Sequence, residues 1–181
     1  MTTTVDLRRS LAGSWELDPV HSSIGFEIPY LSGTFKGQFR DAEAKLTVHD
    51  GKAQLDGLAR VASVDVKDEN LSAHLQSPDF FDAERYPELR FSARELELDS
   101  ETISAGGVLT IRGETKPVDV TGTLTPPMVD AFERERIGLV LSSKVDRHEF
   151  GVSFQMPLPS GEPAIGDEVT IIAELYFIRG S

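Results

Sequence analysis

Histidines, serines and a group of carboxylates are the side chains most able to do chemistry, and their spacing matches no known catalytic or metal motif. The histidines show neither HxxxH nor HExxH spacing: His21, His49, His74 and His148. The serines considered as nucleophiles lack a nucleophile-elbow context: Ser10, Ser22 and Ser77. The carboxylates fit a helix first turn and a solvated surface: Asp79, Asp82 and Glu84. The chain has no cysteine, so the sequence predicts a protein that is not an enzyme and uses no cofactor or metal.

Two local groups could instead hold the polar head of a ligand. His21 and Ser22 follow the Asp18-Pro19 turn, where we expect the mouth of a barrel, although a turn histidine also commonly satisfies backbone groups. Arg147 and His148 form the best local cationic pair for an anionic group. Three weaker candidates are Lys36, Arg40 and Lys116. Isolated basic residues are usually solvated, so both interpretations stay open.

Alternating apolar residues predict the strands that would position these groups. From Ile24 to Tyr30 every second residue is apolar, and the pattern resumes after Ser32-Gly33. We predict that the inward-facing residues of these and later strands line a ligand cavity: Ile24, Phe26, Ile28, Tyr30, Phe35, Phe39, Phe91 and Leu109. Ordinary core packing would give the same alternation, and Tyr30 could also use its hydroxyl on a head group.

One helical excursion, at about residues 68–84, interrupts the strands. Asp68 can cap its first turn, and Ser77-Pro78 can begin a second one. Phe80 and Phe81 lie on this excursion and are predicted to line the cavity from a lid. A surface helix docked on a sheet would also turn such residues inward.

The remaining pattern predicts an all-β fold: a closed antiparallel β-barrel of eight to nine strands, which solves the problem of exposed strand edges. We expect a lead-in at residues 1–12 and one domain at residues 13–181. A change of parity predicts a bulge or bend at Arg40-Asp41, and Asp50-Gly51 predicts a hairpin. The many small inward residues indicate a cavity or, equally, the taper of a solid barrel.

The charge balance excludes some partners. The formal net charge is −12 and the pI is near 4.7, which argues against nucleic acid and against steady binding to anionic membranes. No apolar run reaches the length of a signal peptide or a membrane helix. We therefore expect a cytoplasmic protein without stable membrane insertion.

Five blocks in order resemble the YceI-like family, over nearly the whole chain from Trp15 to Phe177. They are WELDPVHSSIGFEI, LSAHLQSPDFFDAERYPELRFSA, GVLTIRGETKPV, RHEFGV and IGDEVTI. The resemblance implies a lipocalin-like barrel that holds an isoprenoid chain, a homodimer, and no enzymatic activity. The chain departs from the family's pattern in three places. Tyr30-Leu31 stands where a histidine is common, and the loop before Gly37 is one residue short. Many relatives carry a signal peptide, which is not expected here.

The sequence and the resemblance together predict non-enzymatic binding, storage or transport of a long-chain isoprenoid or similar amphiphile. The ligand would be a polyprenyl phosphate, a polyprenyl pyrophosphate or a quinone-like lipid. One alternative is an accessory enzyme or factor of isoprenoid or quinone metabolism that uses His21, Tyr30 or His148 as an acid or base. The other alternative is an interaction module with a solid barrel.

Overall fold

The computed structural model describes residues 4–180, which form mostly β-strands. The strands are β1 (Gly13–Leu17), β2 (Ser23–Tyr30), β3 (Gly33–Phe39), β4 (Ala42–His49), β5 (Lys52–Arg60), β6 (Val64–Asp65), β7 (Glu88–Ala93), β8 (Glu97–Asp99), β9 (Thr102–Ile111), β10 (Glu114–Val129), β11 (Glu135–Asp146) and β12 (Glu168–Arg179). The helices are α1 (Thr4–Ser10) and α2 (Glu69–Leu75), with 3₁₀ turns at Val61–Ser63 and Arg147–Phe150. None of the helices within residues 4–180 is long and apolar enough to cross a membrane.

Eight of these strands form a closed ring in the order β1, β4, β5, β7, β9, β10, β11, β12. The ring closes where β1 pairs antiparallel with β12, with Trp15 opposite Arg179 and Leu17 opposite Phe177. Closure leaves no free sheet edge around this ring. The prediction of a closed antiparallel barrel is confirmed.

Different strands form the wall at the two ends of the barrel. The C-terminal end of β12 pairs with β1, and the part of β12 before it pairs with β2, from Glu174 opposite Ser23 to Thr170 opposite Glu27. β2 then pairs with β3, and β3 with β6. β3 and β4 therefore separate at the predicted bend, Arg40-Asp41, and enter different parts of the wall.

One end of the barrel, which we call the closed end, has a filled interior. Trp15 and Phe177 are fully buried there, and they belong to one apolar cluster with Leu46 and Leu139. α1 covers this end, since its Leu7 is buried in the same cluster. The segment predicted as a lead-in thus contains a helix that packs on the core, while residues 1–3 lie outside the described residues. The domain division itself stays a prediction.

The other end, which we call the open end, is bounded by β2, β3, α2 and the segments 76–87 and 147–167. The Asp68 cap of α2 is confirmed, because its carboxylate accepts from the Leu71 amide at 2.8 Å. The predicted helix to residue 84 is wrong, since α2 ends at Leu75. Ser77 precedes a proline, which disfavours the α conformation, and Asp82 has a φ of 54°. The chain continues as turns.

Candidate functional site

The open end encloses an apolar cavity of about 380 Å³, within the range of roughly 300 to 1,000 Å³ that is usual for ligand pockets. All ten residues predicted to face a cavity lie in its wall: Ile24, Phe26, Ile28, Tyr30, Phe35, Phe39, Phe80, Phe81, Phe91 and Leu109. Their contact with a ligand stays a prediction. The solid-barrel alternative does not describe this end of the molecule.

Strands β2 and β3 supply one wall of the cavity, with Phe26 at its centre. The ring centroid of Phe26 lies 5.8 Å from that of Phe39 and 6.4 Å from that of Phe35. A Cβ atom on Gly37 would lie 2.4 Å from the Phe26 ring, so residue 37 must be glycine for the ring to lie there. The alternation in the sequence decides which side chains face inward, and this glycine makes room for the Phe26 ring.

The floor of the cavity is the edge of the closed-end core. Leu55, Leu141 and Leu175 are buried in that core and also line the cavity. Beyond them the interior is filled. The cavity therefore ends blindly, and a ligand chain must enter from the open end.

A cover over the cavity forms where α2 and residues 76–87 meet the segment 147–167. The His74 ring lies 5.1 Å from the Phe80 ring and 5.1 Å from the Phe154 ring, and the two phenylalanine rings lie 4.9 Å apart. His74 Nε2 also lies 3.0 Å from an Asp79 carboxylate oxygen. His74 and Phe154 are lining residues that the sequence pattern did not predict. The run Val152, Phe154, Met156 alternates, but its proline-rich context hid that signal.

Arg147 lines the cavity and is only 4% exposed. Its guanidinium donates to the carbonyls of Gly166, Val152 and Phe154, each at 2.8 Å, and so holds the segment 147–167 in place. Its Nη2 is buried and has no hydrogen-bond partner among the described residues. Burial lowers the pKa of this guanidinium from its ordinary value, because a charged group loses its hydration in an apolar wall.

The other predicted head-group residues do not line the cavity. His21 bonds Asp18 at 2.7 Å, and the Ser22 hydroxyl accepts from the Tyr176 amide at 2.9 Å. Both precede β2, whereas the cavity opens at its far end near Tyr30, so placing them at the mouth is wrong. A turn that precedes a strand can lie at either end of a barrel, and sequence order does not decide which.

His148 also points away from the cavity. Its Nε2 lies 2.7 Å from an Asp167 oxygen and its Nδ1 lies 3.2 Å from the Ser153 hydroxyl. Val152 and Phe154 face the cavity, so Ser153 between them faces outward. The predicted cationic pair is thus divided, with Arg147 in the wall and His148 outside. The weaker candidates also lie outside the cavity lining: Lys36, Arg40 and Lys116.

Among the described residues, no group of three or more histidines and carboxylates could hold a metal ion. The cavity wall is made mainly of aliphatic and aromatic side chains. Such a wall can bind and orient an apolar chain, and it excludes water.

Comparison with known proteins places the chain in a family. Residues 15–177 match the model of the YceI-like domain. A UPF0312 protein of Photorhabdus laumondii is 29% identical over 147 residues, which cover 78% of this chain and 77% of that protein.

Solved structures share the fold. BcnA of Burkholderia cenocepacia superposes with a TM-score of 0.76 at 21% identity, covering 88% of this chain and 98% of that one. A polyisoprenoid-binding domain from Saccharophagus degradans, implicated in plant cell wall breakdown, gives a TM-score of 0.71 at 12% identity and covers 92% of this chain and 98% of that one.

Proposed function

The chain belongs to the YceI-like family, and we propose that it binds a long isoprenoid lipid in the open-end cavity without transforming it. The observation that carries this proposal is the blind apolar cavity of about 380 Å³. Burying apolar surface contributes about 25 cal/mol per Å² before the costs of immobilisation. A hydrocarbon chain in this cavity can therefore supply most of the affinity. The choice of an isoprenoid among apolar lipids rests on the family resemblance and on the Saccharophagus domain.

We place the polar head of the lipid near Arg147. Of the four residues predicted for the head group, Arg147 alone lines the cavity, and its Nη2 has bonding capacity to spare. A phosphate oxygen would accept a charge-assisted hydrogen bond there. Geranylgeranyl phosphate should then bind the wild-type protein about 10-fold more tightly than geranylgeraniol, as measured by calorimetry. Equal affinities for the two lipids would contradict the placement of the head group at Arg147.

Native mass spectrometry of protein purified without detergent tests the main proposal. We expect an added mass that organic extraction identifies as an isoprenoid. The control is Ala59→Leu, which places a larger side chain in the cavity wall and should carry no added mass. A folded wild-type protein that neither retains a lipid nor takes up added polyprenol would contradict the proposal.

Storage and transport are two uses of the same binding. Transport requires release, so transfer of a labelled polyprenol from the loaded protein to an acceptor separates them. The proposed homodimer is checked by sedimentation velocity, and the proposed cytoplasmic location by cell fractionation.

A further inference from the structure

Exposed apolar side chains surround the opening of the cavity. Tyr30, Leu71 and Met156 line the cavity and are nevertheless 40%, 36% and 56% exposed. They come from the end of β2, from α2 and from the segment 147–167, so the opening lies between these elements. Leu31, next to Tyr30, is 57% exposed. We call Tyr30, Leu31, Leu71 and Met156 the mouth ring.

The segments that carry the mouth ring are held by hydrogen bonds. Tyr30 forms a β-bridge with Ile165, and the Leu31 amide donates to the Ala164 carbonyl at 2.9 Å. The Gln155 side-chain oxygen accepts from the amides of Ala164 and Ile165 at 3.0 and 2.8 Å. The exposure of the ring is thus a property of the folded structure rather than of a frayed loop.

The backbone conformation fixes the position of Leu31. Its φ is 52°, a left-handed conformation that glycine and asparagine adopt more readily than a leucine. The same conformation occurs at six other non-glycine residues of the described chain, among them Asp50 and Ser100. At Leu31 it holds an apolar side chain at the mouth.

Charge decides what kind of apolar partner fits. The chain carries a net charge of −12, and before Leu71 the two carboxylates of Asp68 and Glu69 outnumber the single Lys67. An anionic lipid surface would be repelled. A neutral bilayer would meet the ring through apolar contact alone, as an interfacial protein surface does.

We propose that the mouth ring docks on the surface of an electrically neutral lipid bilayer, so that a lipid passes between bilayer and cavity without crossing water. This inference rests on the proposed lipid-binding function, which supplies the reason for a bilayer rather than a protein as the partner. Docking is peripheral, because the ring is small and no helix of residues 4–180 can cross a membrane.

The test is flotation of the protein with phosphatidylcholine vesicles. The mouth variant is Leu31→Asn, because Leu31 lies outside the cavity lining and asparagine suits its left-handed backbone. The matched control is Val129→Asn at the end of β10, where the valine is 67% exposed. Vesicle binding and the rate of geranylgeraniol transfer from vesicles should fall about 10-fold in the mouth variant and stay unchanged in the control.

Further arms separate this proposal from the proposed function. Phosphatidylserine in the vesicles should weaken docking, and added salt should not abolish it. Each protein is also loaded with geranylgeraniol from detergent, and the mouth variant should bind as much as the wild type. A wild-type protein that loads from detergent but does not float would overturn the docking proposal alone, as would equal losses in the two variants or binding only to anionic vesicles. Failure to load from detergent would instead contradict the proposed function, while flotation still reports on docking.

Discussion

The two ends of this barrel use the same strands to opposite effect. β5 shows the contrast, since Ala53 and Ala59 both face inward and both are 3% exposed. Ala53 packs in the closed-end core beside Leu46 and Leu98, whereas Ala59 lies in the wall of the cavity, next to a smaller apolar cluster that includes Phe39. The exposed fraction of a side chain is therefore the same in a filled and in a hollow interior. What differs is whether the opposite wall supplies side chains to fill the space.

The change of strands along the wall explains the difference. At the closed end β1 bridges β12 and β4 directly, and Trp15 fills the interior between them. At the open end β2 and β3 replace β1, and α2 with residues 76–87 spans the remaining gap. A wall built from two strands and a turn segment encloses a wider space. The aromatic rings on it pack on one another and on Phe81, and beside them the cavity stays open.

The largest test of this contrast compares Trp15→Ala with Phe26→Ala. Trp15 is fully buried and its Nε1 donates to the Leu11 carbonyl at 2.8 Å, so its loss should reduce the free energy of unfolding by about 3–5 kcal/mol. Phe26 faces the cavity, so Phe26→Ala should cost only about 1–2 kcal/mol, because part of the ring surface has no packing partner to lose. Urea denaturation measures both. Equal costs would mean that the open end is packed as tightly as the closed end.

Enlarging the two alanines of β5 sharpens the contrast. Ala53→Leu should lower the free energy of unfolding by about 1–3 kcal/mol, because it overpacks a filled core. Ala59→Leu should change that free energy by less than about 1 kcal/mol and should remove lipid uptake. Each variant is the control for the other, since strand, face and substitution are identical. The hollow-end interpretation fails if Ala59→Leu destabilises as strongly as Ala53→Leu.

Sequence alternation identified eight of the ten cavity-lining residues, because a strand's period of two fixes the face of each side chain. Phe80 and Phe81 were predicted instead from the helical excursion. Alternation does not report the volume between faces, so Phe26 in a cavity and Phe177 in a core look alike in sequence. His21 was misplaced because its position along the barrel depends on where β1 gives way to β2, which is a long-range pairing. Met156 was missed because its segment lies outside the strands, in a proline-rich context that hid the alternation of Val152, Phe154 and Met156.

The closed end should also respond to acid. The Arg136 guanidinium donates to Asp18 at 2.7 Å and lowers the pKa of that carboxyl to about 2. The same arginine bonds Asp130 at 2.6 Å and lowers the pKa of that carboxyl as well. Because the folded pKa values lie below the unfolded value of 3.8, this stabilisation is complete above about pH 5 and is lost as the pH falls towards 2.

For Asp18 alone, linkage gives a loss of about 1 kcal/mol by pH 3. The measurement is urea denaturation of the wild type and of Asp18→Asn at pH 6 and at pH 3. The wild type should lose about 1 kcal/mol more than the variant over this interval. Parallel losses would show that Asp18 does not contribute to acid sensitivity. As the pH falls, hydrogen exchange should rise in β1 before it rises in β3, because the ion pairs of Arg136 join segments of the closed end.

The smallest expected effect concerns the open end and its cover. Asp68→Ala removes the cap of α2 and should cost about 0.5–1 kcal/mol, while Asp68→Asn keeps an acceptor oxygen and should cost less. Because α2 carries Leu71 and His74 over the cavity, a loosened helix should speed the exchange of bound polyprenol several-fold in Asp68→Ala. Hydrogen exchange at β1 should stay unchanged. If Asp68→Ala also raised hydrogen exchange at β1, the two ends would unfold as one unit. The cavity would then have to be loaded by opening of the whole barrel rather than of its cover.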